Sequence, residues 1–266
     1  MLYNLTTKDA MTDPCILDLA NVSKYFGGLR AVHNVSMSVP AGQRRALIGS
    51  NGAGKTTVFN LIAGDLFVTE GSIKLFGKEV TRLPVHQRSR LGLRRTYQTP
   101  ALFTGLTVQE NLYLSLLGCE SPLASLKFWC RADSDREKML RAEEIAVSME
   151  LMDMLYKKTS ELSHGERKQL EVGVTLAAKP KLLLLDEPAA GLSSHERTRI
   201  MAILQAISTD ITIILIEHDM ALALELADIV TVLYEGAIMA EGAPDAIRAN
   251  QDVQRVYLGE AVGNDS

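Results

Sequence analysis

The sequence LIGSNGAGKTTVF, at residues 47–59, joins an apolar run to a loop with three glycines and then to the start of a predicted helix. A glycine, four residues and then Gly-Lys-Thr form a phosphate-binding pattern, because glycine tolerates the positive φ angles that turn successive backbone N–H groups toward phosphate oxygens. The lysine is placed to reach the terminal phosphates and the first threonine to ligate Mg²⁺, while the helix N-terminus adds a partial positive charge. An ordinary Gly-rich turn does not need a lysine and a hydroxyl at these offsets. The candidate phosphate-binding residues are Gly49, Ser50, Asn51, Gly52, Ala53, Gly54, Lys55, Thr56 and Thr57.

Apolar runs on both sides of this loop predict an α/β core. Alternating residues predict strands at 15–26, 31–39 and 72–76, and a short strand at 44–48 leads into the loop. Helices are predicted at 56–63, 194–207 and 219–226, and Glu235-Gly236 predicts a hairpin turn. Residues 244–258 predict two short amphipathic helices. The segment 107–159 is mostly helical in pattern, which indicates a helical insert between two halves of the core.

Two carboxylates follow the continuous apolar run that starts at Leu182. Such a run is typical of a parallel strand buried on both faces, and the carboxyl ends of such strands are where open α/β sheets bind ligands. Asp186 suits Mg²⁺, directly or through water, and Glu187 suits the polarisation of an attacking water. The other interpretation is that both acids cap the next turn.

The segment LSHGERKQLE, at residues 162–171, predicts a capped helix that also presents an anion site. Ser163 and Glu166 have the spacing of a capping box, and a capped N-terminus beside a glycine is favourable for anions. A different segment, residues 84–98, carries Arg88, Arg90, Arg94 and Arg95. These four arginines indicate either an anion or acidic-partner surface or a solvated helix face, of which the solvated face is the commoner.

Composition excludes several classes of protein. A chain of 266 residues with 47% hydrophobic and 23% charged residues has a globular composition and enough length for a sizeable core. The net charge of −4 and the absence of a long basic block argue against nucleic acid as the main partner. No stretch of 18 apolar residues is present, so any membrane role is expected to pass through a partner.

Taken in order, GSNGAGKTT, Gln98, LSHGE, LLLLDE and His218 resemble the ATP-binding-cassette (ABC) ATPases over nearly the whole chain, from about residue 16 to 258. The resemblance implies an α/β fold: a P-loop NTPase (RecA-like) core with an antiparallel β subdomain and an inserted α-helical subdomain. It implies one nucleotide-binding domain at 15–258, with the helical subdomain at about 99–178. Residues 1–14 would form a flexible leader and 259–266 a tail.

The resemblance also implies residue roles. Glu187 and His218 would be catalytic, His218 by contacting the γ-phosphate. Thr56, Gln98 and Asp186 would serve Mg²⁺, and Gln98 would also touch a membrane subunit. Phe26 would stack on adenine, with Tyr25 as the neighbouring candidate. The signature residues Ser163, His164, Gly165 and Glu166 would act in trans, on ATP held by a second cassette.

The sequence departs from the family pattern at two places. His164 and Glu166 replace the middle glycine and the glutamine of the signature, so Glu166 would add negative charge near triphosphate unless it turns back onto the helix cap. Ser193 stands where the family often has aspartate, which questions the usual contact of that loop across the dimer.

Within the family, RRTYQTPALFTGLTVQENL, DEPAAGL, EHDM and VYLGE look most like the ATPases of branched-chain amino acid importers. The resemblance implies an enzyme that uses ATP and Mg²⁺ to drive uptake of such amino acids or related small solutes. Its partners would be a second ABC ATPase subunit, two transmembrane permeases and an extracytoplasmic solute-binding protein, and it would sit peripherally on the cytoplasmic face of the inner membrane. The alternatives are an ATPase of a urea or amide importer, one of a lipopolysaccharide-export system, and a soluble ABC ATPase without a transport role.

Overall fold

The computed structural model describes residues 15–97, 102–118 and 131–256. Within these residues the chain forms two β-sheets and a set of α-helices that pack against them. The strands are β1 (Cys15–Phe26), β2 (Leu29–Pro40), β3 (Arg44–Gly49), β4 (Glu70–Leu75), β5 (Lys78–Glu79), β6 (Leu93–Arg95), β7 (Leu182–Asp186), β8 (Thr212–Ile216), β9 (Ile229–Tyr234) and β10 (Ala237–Gly242). The helices are α1 (Lys55–Ala63), α2 (Val85–Leu91), α3 (Val108–Gly118), α4 (Arg131–Ser148), α5 (His164–Ala177), α6 (Ser194–Ala206), α7 (Met220–Leu226) and α8 (Pro244–Ala249).

The larger sheet has the strand order β10-β9-β3-β8-β7-β6. All of its neighbouring strands run parallel except the β9–β10 hairpin, which is antiparallel. Every residue of β7 and β8 is buried, as expected for apolar runs covered on both faces. Since β3, β7 and β8 are adjacent and parallel, their carboxyl ends bring the phosphate loop and the two acids to one edge of the sheet.

Side chains of the larger sheet alternate between two apolar clusters. Leu182 and Leu184 of β7 pack in the cluster that contains Phe59 of α1 and the inner face of the smaller sheet. Leu183 and Leu185 pack in the other cluster, together with residues of α3 to α8. Because successive strand residues point to opposite faces, Asp186 shares its face with Leu182, Leu184 and therefore α1.

The smaller sheet is antiparallel, with the order β2-β1-β4-β5. It is fastened to the larger sheet at the turn between β9 and β10. There the Gly236 carbonyl accepts the N–H of His33 at 2.8 Å, and the N–H of Gly236 donates to the Ala53 carbonyl at 3.1 Å. This subdomain therefore connects directly to the phosphate loop.

A helical layer lies between β6 and β7 in the chain, where the insert is predicted. Val108 and Leu112 of α3, Ala142 of α4 and Leu170 of α5 belong to one buried cluster. The fold class is confirmed: a parallel α/β core, an antiparallel β subdomain and inserted helices. The limits of the helical subdomain at 99–178 stay a prediction, and the leader at 1–14 and the tail at 259–266 lie outside the described residues.

Most predicted elements are present within one or two residues of their predicted ends, including the hairpin turn at Glu235-Gly236 and helices at 244–249 and 251–256. The strand predicted at 72–76 instead spans Glu70–Leu75, because Phe76 and Gly77 have φ of 53° and 73° and form a turn. The sequence did not predict α2 or the short strand β6, which carry the arginines of segment 84–98.

Candidate nucleotide site

The phosphate loop joins β3 to α1 and approaches other backbone segments closely. Gly49 has φ of 154°, and a Cβ there would lie 2.2 Å from the Leu233 carbonyl oxygen. Gly54 has φ of 100°, and a Cβ there would lie 2.5 Å from the Ala31 carbonyl oxygen. Side chains are excluded at both positions by conformation and by space, so the fold itself requires these two motif glycines.

Lys55 is almost fully buried and spans its own loop. Its Nζ donates to the carbonyl oxygens of Gly49 at 2.6 Å and Ser50 at 2.8 Å. The first turn of α1 contains no acidic residue, and the N-cap residue Gly54 provides no side-chain hydrogen bond. The first N–H groups of α1 are therefore not covered by a carboxylate of the helix itself and can receive an anion.

An open groove of about 690 Å³ runs along the loop and ends at Phe26. The Phe26 side chain is 45% exposed, and Lys24 Nζ lies 5.1 Å from its ring centroid. Tyr25 points elsewhere, since its hydroxyl hydrogen-bonds His33 Nδ1 at 3.2 Å. Among the described residues that line this groove, Phe26 is the one with a phenyl ring.

Glu187 and His218 meet at the same groove, at the carboxyl edge of the sheet. His218 Nε2 lies 2.5 Å from Glu187 Oε1. Glu187 has φ of 50°, a left-handed conformation that costs a side-chain-bearing residue about 1–3 kcal/mol. The strained turn directs the carboxylate into the groove beside the phosphate loop, where an attacking water would need a base.

The donor set at this edge fits Mg²⁺. Asp186 is 2% exposed, and its Oδ1 is a buried oxygen without a hydrogen-bond partner in the described part of the chain. An unsatisfied buried carboxylate oxygen is costly unless a cation or water fills the gap. Thr56 lies in the first turn of α1 and lines the groove, and oxygen ligands such as its hydroxyl and the Asp186 carboxylate suit Mg²⁺. Gln98, the third predicted ligand, lies outside the described residues.

The signature segment forms a capped helix start away from the groove. Ser163 Oγ accepts the Glu166 N–H at 3.2 Å, and Glu166 Oε2 accepts the Ser163 N–H at 2.7 Å, which confirms the predicted capping box. Glu166 therefore turns back onto its own helix. Among the described residues that line the groove, none belongs to the signature, so Ser163, His164, Gly165 and Glu166 do not reach the loop of their own chain.

Comparison with known proteins decides the family. The model of the ABC transporter family matches residues 32–190, which include the phosphate loop, the signature and both acids. The chain belongs to the ABC transporter family. A second model, described as a branched-chain amino acid ATP-binding cassette transporter, matches residues 237–263.

Relatives of this ABC protein match it over nearly their full length. The chain is 37% identical over 251 residues to the high-affinity branched-chain amino acid transport ATP-binding protein BraF of Pseudomonas aeruginosa, covering 92% of this chain and 98% of BraF. It is 37% identical over 258 residues to the corresponding protein LivG of Escherichia coli, covering 94% of this chain and all of LivG. The ABC cassette is thus an ATP-binding, ATP-hydrolysing component of a transporter.

Solved ABC cassettes have the same fold. A crystal structure of the ADP conformation of an ATP-binding cassette superposes with a TM-score of 0.80 at 34% identity, covering 92% of this chain and 99% of the other. A nucleotide-free cassette gives a TM-score of 0.78 at 33% identity, covering 91% and 98%. Across residues 15–97, 102–118 and 131–256, every helix of this cassette is too short or too polar to span a bilayer.

Two of the four arginines in segment 84–98, Arg88 and Arg95, have buried side chains. This corrects the interpretation of the segment as a solvated helix face. Arg88 is fully buried and donates to the carbonyl oxygens of Leu61 at 2.5 Å and Ile62 at 2.8 Å, near the end of α1. Burial lowers the pKa of Arg88 to about 10. Arg95 binds Asp186 and was not predicted as a site residue. The prediction of a solvated helix face is wrong for Arg88 and Arg95, because their side chains are buried. These partners lie far away in the sequence, so the local pattern does not reveal the contacts.

Sequence reasoning also missed Glu217, which precedes His218 and is 4% exposed. Its Oε1 accepts the N–H of Ala189 at 3.3 Å. Burial raises the pKa of Glu217 to about 7, and the nearby Glu187 and Asp219 add to this increase. The apolar run 211–216 ending in Glu-His was the available signal, because a carboxylate at the end of a buried strand is desolvated.

A second missed residue is Glu196 of α6. It forms a capping box with Ser193, and its Oε1 also accepts the N–H of the signature residue Gly165 at 3.2 Å. A Cβ at position 165 would lie 2.6 Å from this oxygen, so the contact requires the glycine. The spacing Ser-x-x-Glu at 193–196 was a capping signal in the sequence.

Proposed function

We propose that this chain is the ATP-hydrolysing subunit of an importer for branched-chain amino acids or related small solutes. The observation that carries the proposal is the match of residues 237–263 to the branched-chain amino acid cassette model, joined to relatives of that kind over nearly the whole chain. Its partners would be a second cassette, two membrane permeases and an extracytoplasmic binding protein. It would work peripherally at the cytoplasmic face of the inner membrane.

Binding of ATP begins at the phosphate loop. Phosphate oxygens replace the Gly49 and Ser50 carbonyls as acceptors of Lys55 and receive the first N–H groups of α1, while Phe26 stacks on the adenine. Thr56, Asp186 and Gln98 would hold Mg²⁺, which neutralises charge on the β- and γ-phosphates. Glu171, whose Oε1 accepts the N–H of Tyr97 at 3.1 Å, supports the segment that leads to Gln98.

Hydrolysis depends on Glu187 and His218. Their side chains contact each other, with His218 Nε2 at 2.5 Å from Glu187 Oε1. When the γ-phosphate arrives, His218 exchanges Glu187 for a phosphate oxygen, and Glu187 then polarises the attacking water. The signature of a second cassette closes the site, since the chain's own signature does not line its groove.

Glu187→Gln tests the catalytic role in the assembled transporter. Loss of a general base reduces turnover by about 10²–10⁴-fold, while ATP affinity is retained. The matched control is Glu137→Gln, an exposed carboxylate on α4, which should leave turnover unchanged. Normal turnover in Glu187→Gln would assign the base elsewhere.

The transport role is tested with the complex purified from membranes through a tag on this chain. We expect membrane permeases to co-purify and, in proteoliposomes with the binding protein, leucine, isoleucine or valine to stimulate ATP hydrolysis. Stimulation by urea alone would point to a urea importer, and an ATPase without permeases would contradict the importer assignment.

A further inference from the structure

We propose that Arg95 is a positioning residue for metal-bound nucleotide. Its side chain fixes the Asp186 carboxylate and connects it to α1, the helix that carries Thr56. The inference rests on the proposed metal role of Asp186. Its guanidinium group links α1, which carries Thr56, to β7, which ends in Asp186.

The guanidinium group binds three acceptors, each of them at least 30 residues away from Arg95 in the sequence. Its Nη2 donates to Asp186 Oδ2 at 2.9 Å, and its Nη1 donates to Asn60 Oδ1 at 2.5 Å and to Asp65 Oδ2 at 3.0 Å. Asn60 belongs to α1, the helix that begins with Lys55 and Thr56, and Asp186 ends β7. One guanidinium group therefore bridges the elements that carry two proposed metal ligands.

The two carboxylate oxygens of Asp186 therefore have different surroundings. Oδ2 is held by Arg95, while Oδ1 is buried and has no partner in the described part of the chain. A carboxylate held through one oxygen cannot rotate freely, so its second oxygen keeps one direction. Second-shell partners of this kind orient metal ligands, and their loss typically reduces metal affinity about 10–100-fold.

Arg95 also borders the segment that leads to the third proposed ligand. Its guanidinium carbon lies 5.1 Å from the Tyr97 ring centroid and 5.7 Å from that of Phe59. Thr96, between Arg95 and Tyr97, accepts the Asp186 N–H at 3.2 Å and donates its own N–H to the Leu184 carbonyl at 2.9 Å. Thr96, two positions before Gln98 in the sequence, is thus hydrogen-bonded to β7.

The ion pair between Arg95 and Asp186 is buried. The side chains of Arg95 and Asp186 are 6% and 2% exposed. Removing one member of a buried pair leaves an uncompensated charge, which is why such pairs tolerate substitution poorly. Lysine cannot reproduce the fork, because its single ammonium group lacks the planar geometry that reaches several acceptors at once.

The test measures ADP affinity of the full chain by titration calorimetry, with Mg²⁺ and with a chelator instead. The quantity of interest is the factor by which Mg²⁺ tightens ADP binding. In Arg95→Met we expect this factor to fall at least tenfold, while metal-free ADP affinity changes less than threefold. The matched control is Arg88→Met, which removes a buried arginine that contacts the same helix α1 but not Asp186.

Four outcomes would overturn the inference. A retained Mg²⁺ factor in Arg95→Met overturns it, and so does an equal loss in Arg88→Met, because the effect would then be general loosening of α1. If Arg95→Met does not fold, Arg95→Lys replaces it, with a smaller loss in the same direction expected and a wild-type factor refuting the role. If Mg²⁺ does not tighten ADP binding in the wild-type chain, the proposed metal site itself is wrong, and the inference fails with it.

Discussion

Glu217→Gln should stabilise the cassette at neutral and alkaline pH but not at acid pH. The carboxyl group is buried at the end of β8, and burial raises its pKa to about 7 from an ordinary value of 4.5. The folded chain therefore binds this proton more tightly than the unfolded chain does. Its stabilising contribution is complete below pH 4.5 and is lost as the pH rises from 4.5 through about 7.

The size of the effect follows from that difference. Each unit between the folded and unfolded pKa corresponds to about 1.4 kcal/mol, so raising the pKa from 4.5 to about 7 corresponds to roughly 3 kcal/mol. Glutamine keeps a carbonyl oxygen that can accept the N–H of Ala189 but carries no charge to bury. Part of this difference is already present at pH 5, so the gain of Glu217→Gln over wild type should grow by roughly 2–3 kcal/mol between pH 5 and pH 8.

Denaturant unfolding at 25 °C, run across this pH range on both chains, measures the gain directly. Glu225→Gln on α7 is the control, because that carboxylate is exposed. Glu187 and Asp219, whose charges contribute to the raised pKa of Glu217, are present in both chains. A gain that is the same at pH 5 and pH 8 would refute the assignment of the buried proton to Glu217.

Three further predictions concern the site. Gly54→Ala places a Cβ 2.5 Å from a carbonyl oxygen at φ of 100°, so we expect about 2 kcal/mol of lost stability and weaker ADP binding, measured by denaturation and calorimetry; wild-type stability would contradict the close approach. Phe26→Ala should weaken ADP binding by about 1–3 kcal/mol if the ring stacks on adenine, whereas Tyr25→Phe should not; equal affinities in all three chains would exclude stacking. Ser163→Ala and Ser193→Ala each remove a capping box and should each cost about 1 kcal/mol of unfolding free energy, and a neutral result at either position would show that its cap is dispensable.

Local patterns in the sequence predicted the fold and much of the candidate site. The phosphate loop, the buried strand that ends in Asp186 and Glu187, and the capping box at Ser163 depend on residues that are close in sequence, so periodicity and spacing suffice to find them. The family resemblance implied that Glu187 and His218 are both catalytic, but it did not predict the 2.5 Å contact between their side chains.

The missed residues depend on contacts between distant parts of the chain. Arg95 reaches partners at positions 60, 65 and 186, and Arg88 reaches the end of α1, so neither can be distinguished by pattern from an exposed arginine. The pKa of Glu217 depends on how fully the sheet and helices cover β8, which the sequence alone does not specify. Glu166 departs from the family pattern, and the sequence alone did not show where its carboxylate points. In the structure this carboxylate caps its own helix.

The hydrogen bonds at Gly236 have a consequence for which nucleotides fit. Through them the smaller sheet, which carries Phe26, and the loop residue Ala53 are fastened to one turn. One turn thus holds the subdomain that carries Phe26 beside the phosphate loop. We expect the distance between this ring and the loop to select nucleotides by the separation of their base from their β-phosphate.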